Sequence, residues 1–256
     1  MFDRLRLPAD VRRLHDALAR ARRILVFTGA GISVDSGIPD FRTAGGIWST
    51  LDPYDLSTEA LDAGPAGRVV FWRTMVALAD SLGSPTPNAN HRAVARLQAL
   101  GKVVGVVTQN VDGLHQAGGS PAASVVELHG NLQHCHVPGT TVRLPLPEVV
   151  ARVRAGEVDP HHEGRPIRPD LVVFGDPLPE GDLAQAVQWT RTCDLCLVIG
   201  SSLRVHPAAD LPRMAQRHGA GLIICTLGPT PLDRDADLKV DRPLAESLVP
   251  AVALLS

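Results

Sequence analysis

The chain has 256 residues, which is enough to bury the core of one large domain, or of a large and a small one. Its net charge is −2 and charged residues make up 20%, so it lacks the positive excess that nucleic-acid binding needs. No apolar run approaches a membrane span, and the first residues lack the apolar core of a signal peptide. Four cysteines fit no disulfide framework and suit a reducing compartment. Composition therefore predicts a cytoplasmic protein that binds neither nucleic acid nor membranes.

The chain begins with a pattern typical of a helix followed by a buried strand. An amphipathic helix is predicted over residues 8–22, because apolar residues recur at helical spacing at Leu7, Val11, Leu14 and Leu18. Residues 24–28 then form a short apolar run of strand-forming side chains, which predicts a buried strand.

Two glycines one residue apart, Gly29 and Gly31, follow that strand directly. Glycine lets the backbone turn sharply and lets another group approach it closely. Ser33, Asp35 and Ser36 come next and can start a helix whose free N–H groups hold an anion. This order predicts a nucleotide diphosphate site, although the third glycine of the dinucleotide fingerprint is absent. A plain structural turn is the alternative.

The loop after this turn carries chemically diverse side chains next to one another. A carboxylate, an aromatic ring and a guanidinium follow a rigid proline in the stretch Ile38-Pro39-Asp40-Phe41-Arg42. A loop that places such residues together more often makes contacts than covers a core. We therefore predict that this loop lines a binding site.

The middle of the chain continues with alternating helices and strands. Predicted helices cover residues 68–82 and 91–100, the second capped by Asn90, and predicted buried strands cover residues 103–108 and 124–128. Residues 132–169 differ, because they hold six prolines, isolated histidines and a single periodic run. Regular order then returns with strands at Leu171, 195–199 and 222–226, and helices near 183–190, 209–218 and 243–255.

This alternation predicts an α/β fold with a Rossmann-like, mostly parallel sheet and helices on both faces. Residues 1–131 and 170–256 would form this large domain, with a helical insertion at about 43–87. Residues 132–169 would form a small inserted module.

Three apolar runs of the predicted sheet end in polar clusters. The clusters are Thr28-Gly29, Thr108-Gln109-Asn110 and Gly200-Ser201-Ser202. In parallel sheets, ligands collect at the carboxyl ends of the strands, so we expect these clusters to surround one cleft. The alternative is that the serine and asparagine side chains only cap the segments that follow.

Five stretches carry a resemblance when they are taken together. They are Gly29-Ala30-Gly31-Ile32-Ser33 continuing to Gly37-Ile38-Pro39-Asp40-Phe41-Arg42, then Thr108-Gln109-Asn110-Val111-Asp112-Gly113-Leu114-His115, Glu127-Leu128-His129-Gly130, Val172-Val173-Phe174-Gly175-Asp176, and Gly200-Ser201-Ser202-Leu203. In this order they resemble the sirtuins, the NAD-dependent protein lysine deacylases. The resemblance spans about residues 20–250, and the combination is specific where any single stretch is not.

The resemblance implies NAD as the cofactor. Asn110 would contact the ribose next to nicotinamide, Asp112 would support that pocket, and Asp40 would hydrogen-bond the carboxamide. By the same resemblance, a larger set would shape this pocket or hold the phosphates and the adenosine side: Gly29, Ala30, Gly31, Ser33, Ile38, Phe41, Arg42, Gln109, Gly200, Ser201, Ser202 and Thr226. Thr226 stands where an asparagine often meets the adenosine ribose, and its hydroxyl can replace part of that contact.

The resemblance also implies that His129 is the general base, with Asn110 and Asp112 beside it. A histidine suits proton transfer near neutral pH, because its ordinary pKa is about 6.5. It would remove a ribose hydroxyl proton after the acyl-lysine oxygen has displaced nicotinamide. The alternative from the residues alone is a structural histidine bonded to a backbone carbonyl.

An extended substrate peptide would pair with two segments of the chain, as the middle strand of three. One segment is Val173-Phe174-Gly175, and the other runs from Gly200 to Val205 and includes Leu203. Val172 to Phe174 can equally be a core strand, and both interpretations can hold together.

The chain departs from the family in its small module. Most sirtuins hold zinc there with four cysteines, but the expected positions are Val137, Thr140, Pro160 and Glu163. An unconventional site remains an alternative, although its spacing matches no standard pattern, at Cys135, His136, His161 and His162. We predict no metal, and a module held by packing and its prolines.

Two further pairs of residues allow a prediction from the sequence. Cys193 and Cys196 form a C-x-x-C, but it enters an apolar strand, where residues three apart face opposite sides, so we predict core. Trp72 and Met75 stand where sirtuins that prefer acidic acyl groups carry tyrosine and arginine. Without that cation, acetyl or apolar acyl chains are predicted.

The predicted function is NAD-dependent deacylation of an acyl-lysine protein or peptide, with transfer of the acyl group to ADP-ribose. The alternatives are an NAD-dependent protein ADP-ribosyltransferase on the same scaffold and a non-catalytic NAD-sensing module. A monomer is favoured for the oligomeric state.

Overall fold

A computed structural model describes residues 4–41 and 45–256 of the chain. Eleven strands lie in these described residues. They are β1 (Ile24–Thr28), β2 (Val103–Thr108), β3 (Val125–Glu127), β4 (Gly130–His136), β5 (Arg143–Pro145), β6 (His161–His162), β7 (Arg165–Pro166), β8 (Arg168–Leu171), β9 (Leu195–Ile199), β10 (Gly221–Cys225) and β11 (Leu238–Val240).

Nine α-helices lie in the same part of the chain. They are α1 (Ala9–Arg20), α2 (Thr58–Asp62), α3 (Pro65–Leu82), α4 (Ala89–Ala99), α5 (Leu114–Ala117), α6 (Leu146–Arg154), α7 (Glu180–Thr192), α8 (Leu211–Arg217) and α9 (Leu244–Ala253). None of these helices is both long and apolar enough to cross a membrane.

Six strands form one parallel sheet in the order β11-β10-β9-β1-β2-β3. Helices α1, α4 and α9 contribute to the core on one face, and α7 and α8 contribute to the core on the other. Every residue of β1 and of β9 is buried, as expected for central strands that are covered on both sides. The predicted α/β fold with a doubly covered parallel sheet is therefore confirmed. Strand β11 was not predicted, because three residues show no period.

The helix before β2 is capped by a different residue than the sequence suggested. Asn88, not Asn90, accepts from the backbone N–H groups of Asn90 and His91, so α4 begins at Ala89. His91 accepts in return from the Asn88 backbone N–H, which completes a capping box. Asn90 instead donates its side-chain N–H to the Asp35 carboxylate.

The strand predicted at Leu171 belongs to a different sheet. β8 ends at Leu171 and pairs antiparallel with β4 at the edge of a three-stranded sheet ordered β5-β4-β8. Pro169 lies within β8 and cannot donate a backbone hydrogen bond, which restricts such a strand to an edge. Val172 to Phe174 leave this sheet, so their interpretation as a core strand is wrong.

A separate apolar core joins this small sheet to the helical insertion. Buried side chains of α3 and α6 pack there against Cys135 and Val137. The sheet runs from residue 130 to residue 171, so it extends two residues beyond each predicted limit of the module.

The four cysteines are buried and unpaired. Cys193 follows α7 and Cys196 lies in β9, and both are buried in the same apolar core, which confirms the prediction of core. The expectation that the two side chains face opposite sides is wrong. The predicted strand geometry fails because Cys193 precedes the strand.

Ion pairs supplement the core of the small module. Arg68 on α3 forms a two-point pair with the Asp159 carboxylate at 2.8 Å, and Arg152 pairs in the same way with Glu157. Asp170 accepts from His136 and Arg143. Across residues 4–41 and 45–256, no three histidine, cysteine or acidic side chains come together as metal ligands.

Replacing Arg68 by alanine is expected to lower the free energy of unfolding by about 3 kcal/mol, because it leaves the mostly buried Asp159 carboxylate unpaired. Urea unfolding measures the change. Arg154→Ala is the matched control, since its pair with Asp80 is more than half exposed and should cost about 0–1 kcal/mol. Equal losses in the two variants would contradict the expectation, and incubation with a chelator should change neither midpoint.

Candidate functional site

The three predicted polar clusters meet at the carboxyl edge of the main sheet. β1 lies between β9 and β2, and Thr28 is level with both Ile199 and Thr108. Gln109 links the three strand ends, because its backbone N–H donates to the Thr28 carbonyl and its side-chain oxygen accepts from the Ser201 hydroxyl at 2.7 Å. The prediction that these segments surround one site is consistent with this geometry.

The glycines of the turn allow two segments of the chain to touch. The Gly31 N–H donates to the Gly200 carbonyl at 2.8 Å. A Cβ on Gly31 would lie 2.7 Å from the Gly200 Cα, and one on Gly29 would lie 2.9 Å from the Ser201 Cα. The close approach that the glycine spacing predicted is therefore made by the segment that follows β9.

No α-helix begins after the glycine turn, so that prediction is wrong. Two short 3₁₀ turns follow instead, at Ala30–Ile32 and Val34–Ser36. Most N–H groups of the turn are used within it or on Gly200. Within the described ranges, several backbone N–H groups in or near the turn have no such acceptor, among them those of Ala30, Val34, Asp35, Ser201 and Ser202. These groups, and not a helix terminus, are available to an anion.

A buried hydrogen-bond network holds the polar side chains of the site. The Ser33 hydroxyl donates to the Asp112 carboxylate at 2.7 Å and accepts from the Asn110 side chain at 3.2 Å. Asn110 also donates to the Gly29 carbonyl, and Asp112 accepts from the Leu114 N–H. Since every member is bonded, Asn110 and Asp112 have defined orientations before any ligand binds.

His91 is a member of this network that the sequence did not reveal. Its Nδ1 accepts from the Asn88 N–H, so Nε2 carries the proton and points at the Ser33 hydroxyl, 3.4 Å away. Burial lowers the pKa of His91 to about 4, and burial lowers the pKa of its neighbour His115 to about 3. Both rings are therefore neutral at physiological pH. The spacing Asn88-x-x-His91 of the capping box was the available signal.

Asn88 also holds the two turns after β1 in place. Its side-chain N–H groups donate to the Ile32 carbonyl at 2.8 Å and to the Ser36 hydroxyl at 3.0 Å. The start of α4 is thereby tied to the two turns that follow β1. A residue outside all the predicted motifs thus positions the segment that the motifs identified.

His129 lies just beyond β3 with one ring nitrogen fixed. Its Nδ1–H donates to the Gln109 carbonyl at 2.9 Å, and its own backbone carbonyl accepts from the Val172 N–H. Burial lowers the pKa of this imidazole, and the bond to Gln109 opposes that shift only in part. Nδ1 is thus bonded to a backbone carbonyl, as the alternative of a structural histidine predicted. For Nε2, no hydrogen bond is found within the described residues.

A small cleft lies beside the network. Its walls combine apolar side chains with the amide and carboxylate of the network: Ala30, Ser33, Ile38, Phe41, Leu82, Asn110, Val111 and Asp112. Leu82, at the end of α3, was not anticipated. The Asp40 and Phe41 carbonyls accept from the N–H groups of Ile47 and Trp48, and Arg42 lies outside the described residues.

Three aromatic rings extend from this cleft. Phe41 and Trp48 have ring centroids 5.3 Å apart, and Trp48 meets Phe174 edge-on at 5.8 Å. Phe174 remains 45% exposed. Trp48 was missed because nothing in its local sequence distinguishes it from a core aromatic residue.

The backbone groups predicted to receive a peptide are largely occupied. The Phe174 N–H and carbonyl bond to Leu56 and Thr58, and both backbone groups of Val173 bond to Asp176. For those two residues the predicted role of the backbone is therefore wrong, because the helical insertion pairs there first. Gly175 remains, and in the other predicted segment Leu203 is buried with a positive φ of 53° while Val205 is half-buried.

The remaining predicted positions lie where the fold carries them. Thr226 follows β10 at the same edge of the sheet, and its N–H donates to the Val240 carbonyl. Trp72 and Met75 are fully buried in the apolar core that α3 shares with α6 and the small sheet. Neither side chain carries a charge.

Comparisons with known proteins agree with this arrangement. The model of the Sir2 family matches residues 29–207. The NAD-dependent protein deacetylase 1 of Bradyrhizobium diazoefficiens is 40% identical over 247 residues, which cover 96% of each chain. A Sir2 structure with a deacetylated p53 peptide and 3′-O-acetyl ADP-ribose superposes with a TM-score of 0.86 at 32% identity, covering 95% of this chain and 98% of that one. A Sir2 complex with p53 peptide and NAD⁺ gives 0.83 at 32% identity, over 93% and 95%. The chain therefore belongs to the Sir2 family.

Proposed function

We propose that this chain is an NAD-dependent protein lysine deacylase. The observation that carries the proposal is the His129 imidazole, whose Nδ1–H is bound by the carbonyl of Gln109, the residue before Asn110, while Asn110 and Asp112 are held by Ser33. A base with one fixed nitrogen, tied to the segment that carries a pre-oriented amide and carboxylate, suits removal of a sugar hydroxyl proton. Relatives of the same family are named as NAD-dependent deacetylases and deacylases.

The residues at the edge of the sheet fit NAD. The cleft offers apolar walls from Ile38 and Phe41 to a pyridine ring, with Asn110 and Asp112 near a sugar. The free N–H groups of Ala30, Ser201 and Ser202 suit a pyrophosphate, and Thr226 lies towards the adenosine side. When bound, NAD supplies an electrophilic sugar carbon and the hydroxyl that receives the acyl group, with nicotinamide as leaving group.

The protein residues would orient the partners and move one proton. Asp40, Asn110 and Asp112 would position the nicotinamide end, and the Nε2 atom of His129 would accept the hydroxyl proton. Phe41, Trp48 and Phe174 would exclude water from the acyl-lysine side chain. Gly175 and the segment from Ser202 to Val205 would bind the peptide backbone.

The acyl chain is proposed to be uncharged. Trp72 and Met75 present no cation, so an acidic acyl group would have no charge partner from these two positions. We also propose that residues 132–169 form a module distinct from a large domain of residues 1–131 and 170–256. Free thiols at all four cysteines suit a cytoplasmic, reducing compartment, and a monomer is favoured.

One assay tests the function. The protein is mixed with NAD and an acetyl-lysine peptide, and nicotinamide, acetyl-ADP-ribose and protein-bound ADP-ribose are measured by mass spectrometry. We expect nicotinamide and acetyl-ADP-ribose in equal amounts, and slower turnover of a succinyl-lysine peptide. ADP-ribose attached to protein would instead indicate a transferase, and NAD binding without nicotinamide release would indicate a sensing module.

Replacing Asn88 by aspartate is expected to weaken NAD binding by about tenfold with little loss of stability. Aspartate keeps the oxygen that caps α4 but loses the two donors that hold Ile32 and Ser36. Asn88→Ala loses both functions and should also cost about 1 kcal/mol of unfolding free energy. Calorimetric titration and urea unfolding separate the two effects. Unchanged NAD affinity in the aspartate variant would refute the proposed role of this side chain.

A further inference from the structure

A groove runs between α3 and α6, and two of its lining residues, Val76 and Val153, also pack against the apolar core that these helices share. It has a volume of about 520 Å³, counting its open mouth. Its lining consists of four valines and two arginines: Val69, Arg73, Val76, Val153, Arg154 and Val158. None of these residues belongs to the site described above.

The groove walls come from a helical stripe and the end of the facing helix. Val69, Arg73 and Val76 are spaced four and three apart, so they share one face of α3 over about 10 Å. Val153 and Arg154 end α6, and Val158 follows it with 59% of its surface exposed. Together, one exposed and three half-buried valines leave a patch of apolar surface in contact with water.

Ion pairs tie the two walls together at both ends of the groove. Arg68 binds Asp159 at one end, next to Val69 and Val158. At the other end Arg154 pairs with Asp80, one helical turn beyond Val76. The largely buried pair of Arg68 with Asp159 holds α3 close to the segment that follows α6, so the gap between them does not need to form when a ligand arrives.

Arg73 is the distinctive group of the groove. It is exposed, it lies midway along the stripe of α3, and no ion pair or hydrogen bond of its side chain is found within residues 4–41 and 45–256. Arg154, the other arginine of the groove, is already paired with the Asp80 carboxylate. A guanidinium binds a carboxylate with two parallel hydrogen bonds.

The geometry points to a second binding site, for an aliphatic carboxylate. The carboxylate would bind Arg73, and the hydrocarbon chain would lie along Val69, Val76, Val153 and Val158. Charge complementarity selects an anion, and the apolar walls select a chain over a bare ion. This site is independent of the proposed deacylase activity, because it shares no residue with the cleft.

Calorimetric titration with octanoate tests the proposal. Octylamine, which has the chain but no carboxylate, and acetate, which has the carboxylate but no long chain, serve as control probes. We expect one saturable octanoate site per chain and no detectable binding of the other two. Arg73→Ala should weaken octanoate binding at least tenfold, and Val69→Glu should abolish it. Arg191→Ala, at an exposed arginine of α7, should leave the affinity unchanged.

Circular dichroism of each variant establishes that it is folded. Equal octanoate binding in Arg73→Ala and the unchanged protein would overturn the proposal, as would equal binding of octylamine. Absence of saturable octanoate binding would overturn it as well. Binding of an acidic peptide but not of octanoate would identify a protein-docking surface and contradict the small-molecule site.

Discussion

Replacing His129 by alanine is expected to lower the rate of peptide deacetylation by about 10²–10⁴-fold, the usual contribution of a general base. The one hydrogen bond of its ring that is found within the described residues goes to the Gln109 carbonyl, and His129 is not among the residues that line the cleft. NAD binding should therefore survive, so the loss should appear in kcat and not in the Kd for NAD. Single-turnover deacetylation and calorimetric titration with NAD measure the two quantities.

His134→Ala is the matched control for this variant. His134 lies on β4 in the small sheet, partly buried, and it contributes to neither the cleft nor the network around Ser33. Its loss should leave the rate unchanged. Full activity in His129→Ala would remove the proposed base, and equal losses in both variants would indicate a general effect of histidine removal on the fold.

The pH profile of the unchanged protein supplies a second test of the same residue. Burial lowers the pKa of His129 below its ordinary value of 6.5. The imidazole therefore stays neutral, and able to accept a proton, at pH 6.5 and somewhat below it. The rate should then fall as the pH drops further, through the lowered pKa. An acid limb centred above pH 6.5 would be inconsistent with this base.

Replacing Gly200 by alanine is expected to destabilise the protein by about 2–5 kcal/mol and to abolish NAD binding. The residue has a positive φ of 63°, which costs a residue with a Cβ about 1–2 kcal/mol. The added Cβ would also lie 2.4 Å from the Ile32 nitrogen, and relieving such overpacking costs about 1–3 kcal/mol more. Since Gly200 contacts the turn after β1, the relief must displace the segment that would hold the pyrophosphate.

Gly219→Ala separates the two contributions. Gly219 has a positive φ of 91° but nothing within 4 Å of the added Cβ, so it should lose only about 1–2 kcal/mol and bind NAD normally. Urea unfolding and NAD titration of both variants provide the comparison. If Gly200→Ala lost no more stability than Gly219→Ala, the close approach of Gly200 to Gly31 and Ile32 would not contribute to the loss of stability.

The sequence by itself determined the elements with strong local signals. β1, β2 and β9 have the predicted bounds, because continuous apolar runs between polar residues admit a single interpretation. Membership in the Sir2 family also followed from the sequence, since its motifs are contiguous stretches. Strand ends in a parallel sheet share one edge, so Thr28, Thr108 and Ser201 could be placed together before their distances were known.

Only the tertiary structure decided which groups were already occupied. Whether the Gly31 N–H was free depended on Gly200, and whether Phe174 could accept a peptide depended on Leu56 and Thr58. His91 and Asn88 reached the site through contacts 52 to 58 residues distant in the chain. A hydrogen-bonding group pairs with whatever the fold brings near it, so its availability is a property of the packed molecule and not of the local sequence.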